Sequence, residues 1–151
     1  MLFKWIMKVM GGLHIFVFRR SSGAIMGKMR GMDILLLTTR GRKTGKQRTT
    51  SLMYFTDGPN YVVTASNGGQ DRHPAWWLNL QNDPQAIVEV GGRRLPMMAR
   101  EADEEERSRL WAQLVSQADF FADYEQKTSR KIPVVLLQLE GRGTNGGGNA
   151  F

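Results

Sequence analysis

Residues 35–55 read LLLTTRGRKTGKQRTTSLMYF. Branched and aromatic side chains fill both ends, and Thr38, Thr39, Thr49 and Thr50 suit a pleated, half-buried surface. The pattern predicts one strand over 32–40 (MDILLLTTR) and a second over 47–55 (QRTTSLMYF), joined by a tight turn. Strands joined so closely must pair antiparallel, which points away from the regular strand–helix crossovers of a dinucleotide fold. The turn is also strongly basic, with Arg40, Arg42, Lys43, Lys46 and Arg48 falling within nine residues.

A phosphate-loop reading of this turn fails on spacing. The Walker pattern wants four residues between its glycines and a hydroxyl after its lysine; Gly41 and Gly45 enclose three, and Gln47 follows Lys46. What survives is a bend, permitted by the two glycines, that gathers the cations at one end of a hairpin, with Thr44 as a hydroxyl donor. Guanidinium forks match phosphate and carboxylate geometry, and lysine adds a less directional charge. An anionic ligand site and a merely solvated charged turn are the two readings.

Further along, DGPN (57–60) signals a turn and YVVTAS (61–66) a third strand, followed by a loop, NGGQDRHP (67–74), that faces a ligand or solvent. Pro74 starts a short helix carrying Trp76, Trp77 and Leu80. A second hairpin follows, QAIVEV (85–90) and RRLPMMAR (93–100), turning at Gly91 and Gly92; Pro96 argues for an edge or bulged strand. Asp103 and Glu106 form a capping-box pattern ahead of a helix with Leu110, Trp111, Leu114 and Val115 on its buried stripe. ADFFADYEQKTS (118–129) is expected as a short helix or wrapped loop, and KIPVVLLQLE (131–140) as a central last strand. Five or six strands with three or four helices give a mainly β, α+β architecture: an antiparallel barrel or curled sheet with peripheral helices.

The 151 residues suit one domain. The expected organisation is an amphipathic N-terminal helix over 1–20, a barrel over 21–140 and a flexible tail over 141–151, GRGTNGGGNAF, which has little to bury. Lys and Arg number 21 against 14 Asp and Glu, so the net charge of +7 favours an anionic partner. Cysteine is absent, which removes disulfides and thiolate chemistry, and two histidines, His14 and His73, argue against a metal site. Nucleic acid is the weaker anion, because no zinc-finger or paired aromatic motif supports it.

In the N-terminal stretch, Leu2, Trp5, Ile6, Val9, Met10, Leu13, Phe16 and Val17 recur at helical spacing, with Lys4 and Lys8 opposite and Arg19 and Arg20 at the end. The run is broken by Lys8 and His14 and falls short of the ~20 residues that span a bilayer. Either it covers the domain's own core or it lies on a membrane surface.

A second constellation lies in TASNGGQDRHPAWWLN (64–79). Ser66 and Asn67 end a strand, and Gly68 and Gly69 let backbone N–H groups approach a bound group. Trp76 offers a wall for a flat ring and Asn79, one turn on, a hydrogen bond to its edge; the plain alternative is that Trp76 and Trp77 anchor the helix in the core and Asn79 is a helix-end polar residue. His73 lacks the carboxylate or nucleophile that a general base would need, and Asp71 and Arg72 read as loop surface. Tyr124 shares a helical face with Phe121 and is either a donor to a substrate oxygen or an amphipathic packing residue.

Taken together, GRKTG, the strand-ending AS followed by GG, PAWWLNL and the late IPVV resemble the deazaflavin-dependent nitroreductase family of actinobacteria, from about Leu35 to Leu137. That resemblance implies a split β-barrel, similar to the FMN-binding and pyridoxamine-phosphate-oxidase-like fold, that binds coenzyme F420 (8-hydroxy-5-deazaflavin), whose tail carries a phosphate and glutamates. It implies contacts to the tail from Arg42, Lys43 and Arg48, and a deazaflavin lined by Ser66, Trp76 and Asn79, with backbone from Thr64, Ala65, Ser66, Asn67 and Gly68 at its polar edge. It also implies a hydride-transfer enzyme acting on a quinone, nitroaromatic or activated enone, with Ser66 and Tyr124 on the substrate side. Met53, Asn67, Phe121 and Lys127 stand where nitroimidazole-reducing members carry other residues, so the likeness reaches the cofactor further than the acceptor. A cytoplasmic protein touching the anionic inner face of the cell membrane is the implied setting. The competing expectations are an FMN- or haem-binding protein on the same barrel and a polyanion-binding module.

Overall fold

The computed structural model describes residues 28–140 and, before them, the helical residues Gly12, Leu13, Ile15, Phe16 and Phe18–Arg20. The rest of the expected N-terminal helix and the 141–151 tail lie outside the described residues. Within them are strands β1 (Lys28–Met29), β2 (Met32–Arg40), β3 (Gln47–Asp57), β4 (Asn60–Thr64), β5 (Gln85–Val90), β6 (Arg93–Glu101) and β7 (Val134–Leu139). Three helices follow in chain order, α1 (Ala75–Asn82), α2 (Glu104–Gln117) and α3 (Phe120–Lys127).

Every pairing is antiparallel, and the strands run β2-β3-β4-β7-β6-β5 before β5 returns to β2. Of the two expected forms, barrel or curled sheet, this is the barrel, closed by the pairs Leu36↔Glu89, Leu37↔Val88 and Thr38↔Ile87. The two-residue β1 extends the start of β2. One expectation needs correcting: β6 is not an edge strand, since it pairs with β5 on one side and β7 on the other. Pro96 is tolerated because the β6–β7 ladder begins one residue later, at Met97↔Leu139, where an N–H is again available.

Strand β2 explains why the barrel holds together. Leu35 and Leu37 point into an interior shared with Val63, Ala65, Ala86, Val88, Met97, Val135 and Leu137, the period-two inward face of five strands. Ile34 and Leu36 point the other way and are covered by Phe18 and Ile15 of the N-terminal helical residues. Leu35, Leu36 and Leu37 are fully buried, each contributing about 2 kcal/mol by transfer from water. The fork of Arg19 on Glu89 (2.9 and 2.8 Å) fastens the same helical segment to β5.

On the outer face of β4 and β7, Val62, Val134 and Leu136 pack against Leu110 and Leu114 of α2 and Phe121 of α3. Helix α2 starts as expected: Asp103 accepts from the Glu106 amide at 2.9 Å, and Glu106 accepts from the Asp103 amide at 3.2 Å. The barrel opens between β3 and β4. Strand β3 pairs with β4 only over Phe55–Asp57, while its earlier residues pair with β2 alone. The border between β3 and the end of β4 is therefore a gap, and the site lies along it.

Candidate functional site

The basic turn is built by its backbone. Gly41 N–H donates to Lys46 O and Gly45 N–H to Gly41 O, both at 2.8 Å, and Gly45 adopts φ +71°, a left-handed conformation that a side chain would strain. Thr44 Oγ1 accepts from the Lys46 amide at 3.2 Å. This loop sorts the charges. Arg42, Lys43 and Arg48 line a cleft of about 670 Å³, a size suited to a cofactor. Arg40 turns instead to a neighbouring recess with Gln47 and Asp83.

The opposite wall of the cleft comes from Asn67, Arg72, His73 and the start of α1, with Trp76 and Asn79; Thr49 and Thr50 of β3 form its side. Trp76 is buried with Trp77 and Leu80 in the interior core, so the anchoring role and the wall role coincide in one side chain. Asn79 is 3 % exposed and fully engaged: its Nδ2 donates to Thr39 Oγ1 at 3.1 Å, while its Oδ1 accepts from the Arg42 amide (3.1 Å) and from Arg42 Nη1 (3.3 Å). The side chain thus ties helix, β2 and basic loop together.

A second, smaller recess of about 100 Å³ adjoins along β3, bordered by Ser51, Leu52, Met53, Thr64, Ser66, Ile34 and Phe121. Ser66 and Asn67 stand next to one another in the chain, one bordering each space. The backbone there is unusual: Ser66 is right-handed (φ −73°, ψ −33°), and Asn67, Gly68 and Gly69 follow at φ +48°, +64° and +81°. A right-handed residue followed by a left-handed one turns successive N–H groups into a shared concavity suited to an anionic or electron-rich atom. Gly69 has a separate reason to lack a side chain, since a Cβ there would sit 3.0 Å from Tyr124 O.

Several expected site residues lie elsewhere. Ala65 is buried in the barrel interior, Gly68 is exposed, and Tyr124 borders neither space. The Tyr124 ring packs edge-on against Phe120 and Phe121, and its hydroxyl accepts from Arg30 Nη1 at 3.3 Å. Conversely, Arg72 and His73, read as loop surface and as a failed base, line the main cleft. Arg130 was not singled out at all, yet it donates to Gln70 O (2.8 Å), Ala65 O (3.1 Å) and Ser66 O (2.8 Å) and lies 3.1 Å from His73 Nδ1. Its partners are 57 to 65 residues away, so no local pattern announces it.

A sequence model of the F420H(2)-dependent quinone reductase family matches residues 12–139, most of the chain. The chain belongs to this family. F420 is accordingly its cofactor and F420-dependent reduction its enzyme class. An F420H(2)-dependent quinone reductase of Mycobacterium tuberculosis is 39% identical over 130 residues, covering 83% of this chain and 87% of the relative. A solved F420-H2 dependent reductase superimposes with a TM-score of 0.64 at 38% identity, covering 72% of this chain and 95% of the other. A pyridoxamine 5'-phosphate oxidase-like protein of Listeria innocua (TM-score 0.51, 14% identity, 71% of this chain and 83% of the other) shares the fold alone. The cleft suits the family's cofactor, since Arg42, Lys43 and Arg48 gather at the hairpin end of a space that also contains the Trp76 indole and Asn67 of the 66–69 turn.

Proposed function

We propose that this protein reduces a quinone with reduced F420, holding the acidic tail on Arg42, Lys43 and Arg48 and the deazaflavin between Trp76 and the Ser66–Gly68 turn. The observation that carries this reading is the sorting of charges: these three cations of the hairpin line one cleft together with Trp76. Ser66, Asn67 and Gly68 form the turn that meets the ring's polar edge, Asn67 lining the cleft directly, while the Ala65 amide and carbonyl are already taken by Pro133 and Arg130. Asn79 serves chiefly by fixing Arg42, whose amide and guanidinium both donate to it.

When bound, the reduced cofactor supplies a hydride, and a quinone that takes a hydride and a proton becomes a quinol. The chain's part is alignment and screening from water. The adjoining recess, with Met53 and Phe121 as apolar walls and the Ser66 hydroxyl at its rim, is the place for the acceptor. Ser66 donates to the acceptor oxygen there, and the proton comes from solvent, since Tyr124 borders neither space. Quinone is preferred over a nitroaromatic or enone because the relatives are named for quinone reduction.

Titrating the full chain with F420, FMN and haem in parallel tests the assignment. F420 should bind saturably and the other two weakly. Arg42→Ala or Lys43→Ala should each raise Kd roughly tenfold, the loss of about one charge-assisted contact, and flatten its salt dependence. Equal binding of FMN, or affinities unmoved by both substitutions, would sink it.

A membrane-side location is the second part of the proposal. Leu13 and Phe16 are 61% and 63% exposed on the N-terminal helical residues, with the exposed Arg20 on the same segment. Apolar and cationic groups so arranged favour an anionic bilayer surface, where a lipid-soluble quinone is concentrated. Sedimentation with anionic vesicles should retain the native chain and lose Leu13→Ser/Phe16→Ser; equal sedimentation of the two excludes this contact. Among the described residues no helix is long and apolar enough to cross a membrane.

A further inference from the structure

The loop over 65–73 is backed by the Arg130 side chain. Arg130 donates to the carbonyls of Ala65, Ser66 and Gln70, and its remaining contact is His73 Nδ1 at 3.1 Å. Nearby, Thr128 Oγ1 donates to Asp71 Oδ1 at 3.0 Å and Ala65 N–H to Pro133 O at 2.9 Å, so the whole connector between α3 and β7 backs the loop.

Two consequences follow from elementary geometry. In a planar trans peptide the C=O and the next N–H point in opposite directions. With the carbonyls of Ala65 and Ser66 drawn onto Arg130, the N–H groups of Ser66 and Asn67 must point away from it; Asn67 borders the main cleft and Ser66 the adjoining recess. A guanidinium can only donate, so His73 Nδ1 must accept, and the neutral ring must carry its proton on Nε2. Burial and then the Arg130 charge push the His73 pKa down, with Glu101 of β6 opposing them.

We infer that Arg130 is a positioning residue. It aims the Ser66 and Asn67 amides and fixes His73 as an Nε2–H donor, so that the cleft meets the electron-rich edge of the deazaflavin with a preset row of neutral donors. This rests on the cofactor placement proposed above. It gives the site two unlike ends: the cations of the hairpin for the tail, and a set of backbone and imidazole donors for the ring. Such preorganised donors cost no rearrangement when a ligand arrives.

The test uses the full chain with His14→Gln, which leaves one imidazole, labelled with 15N. Without cofactor, above pH 7, His73 should show a protonated Nε2 and an acceptor Nδ1. Arg130→Lys keeps the charge but loses the fork; it should mix the tautomers and raise the F420 Kd about tenfold, while the slope of log Kd against log salt stays that of the native chain. Arg42→Ala should do the reverse, flattening the slope and leaving the tautomer alone. A native chain with the proton on Nδ1 overturns the inference, as does a folded Arg130→Lys chain with native affinity and tautomer. If that variant does not fold, the tautomer of the native chain decides. If the native chain does not bind F420, the cofactor placement fails on its own, and the cofactor-free spectrum still judges the role of Arg130.

Discussion

Asn79, Gly69 and Arg130 differ in how readily their sequence neighbourhoods announce them. Asn79, which lines the cleft, drew notice because it sits one turn beyond Trp76 on a helix that the sequence marks with Pro74. Its partners were not legible, since Thr39 and Arg42 lie 40 and 37 residues away. Gly69 stood out as half of a glycine pair, but the reason for it is the backbone of α3 passing within van der Waals distance, a fact of packing rather than of turn chemistry. Gly69→Ala therefore combines a left-handed φ of +81° with a contact of 3.0 Å against a backbone oxygen, and should lower stability by about 1–3 kcal/mol. A thermal melt reads this directly; an unchanged Tm would show that α3 can move away. Arg130 left no trace at all, because an arginine whose acceptors are backbone carbonyls has no partner type to search for.

At the scale of elements the sequence was a good guide where periodicity and punctuation agreed. Strand β2 was expected over 32–40 and β5 over 85–90, and both fall there, bounded by a basic turn or a glycine pair. Pro96 misled because proline reports a missing N–H and not which neighbour would have used it. The start of α2 was read from two carboxylates, and their environment makes a testable pH effect. The Arg100 guanidinium, 2.7 and 2.9 Å from Glu106, holds that carboxyl down at about 2, helped by the Asp103 amide. A carboxyl whose pKa is lowered by folding stabilises the folded state above its ordinary value, and that contribution fades as pH falls from about 4.5 towards 2. Being largely exposed, the pair contributes little, so the effect is a modest slope in acid unfolding. Arg100→Gln should flatten that slope, and Asp103→Ala should cost about 1 kcal/mol at neutral pH by removing the cap. An acid profile identical in native and Arg100→Gln chains would place the titration elsewhere.

For the whole molecule, the antiparallel hairpin and the short turns gave an antiparallel barrel or curled sheet, and only the family resemblance chose the barrel. The ring closure from β5 back to β2 could not be read, because three residue pairs joining strands fifty positions apart leave no local mark. The same holds for the parting of β3 from β4, which a run of eleven extended residues conceals: the sequence shows a long strand, not that one flank of it goes without a neighbour. That parting has a consequence for how the protein behaves when loaded. A guest lodged between the two staves would brace a cylinder that is otherwise held on one flank only, so occupancy should toughen the entire shell by mass action and quieten the amide exchange of Thr49 to Met53 without demanding any hinge or lid.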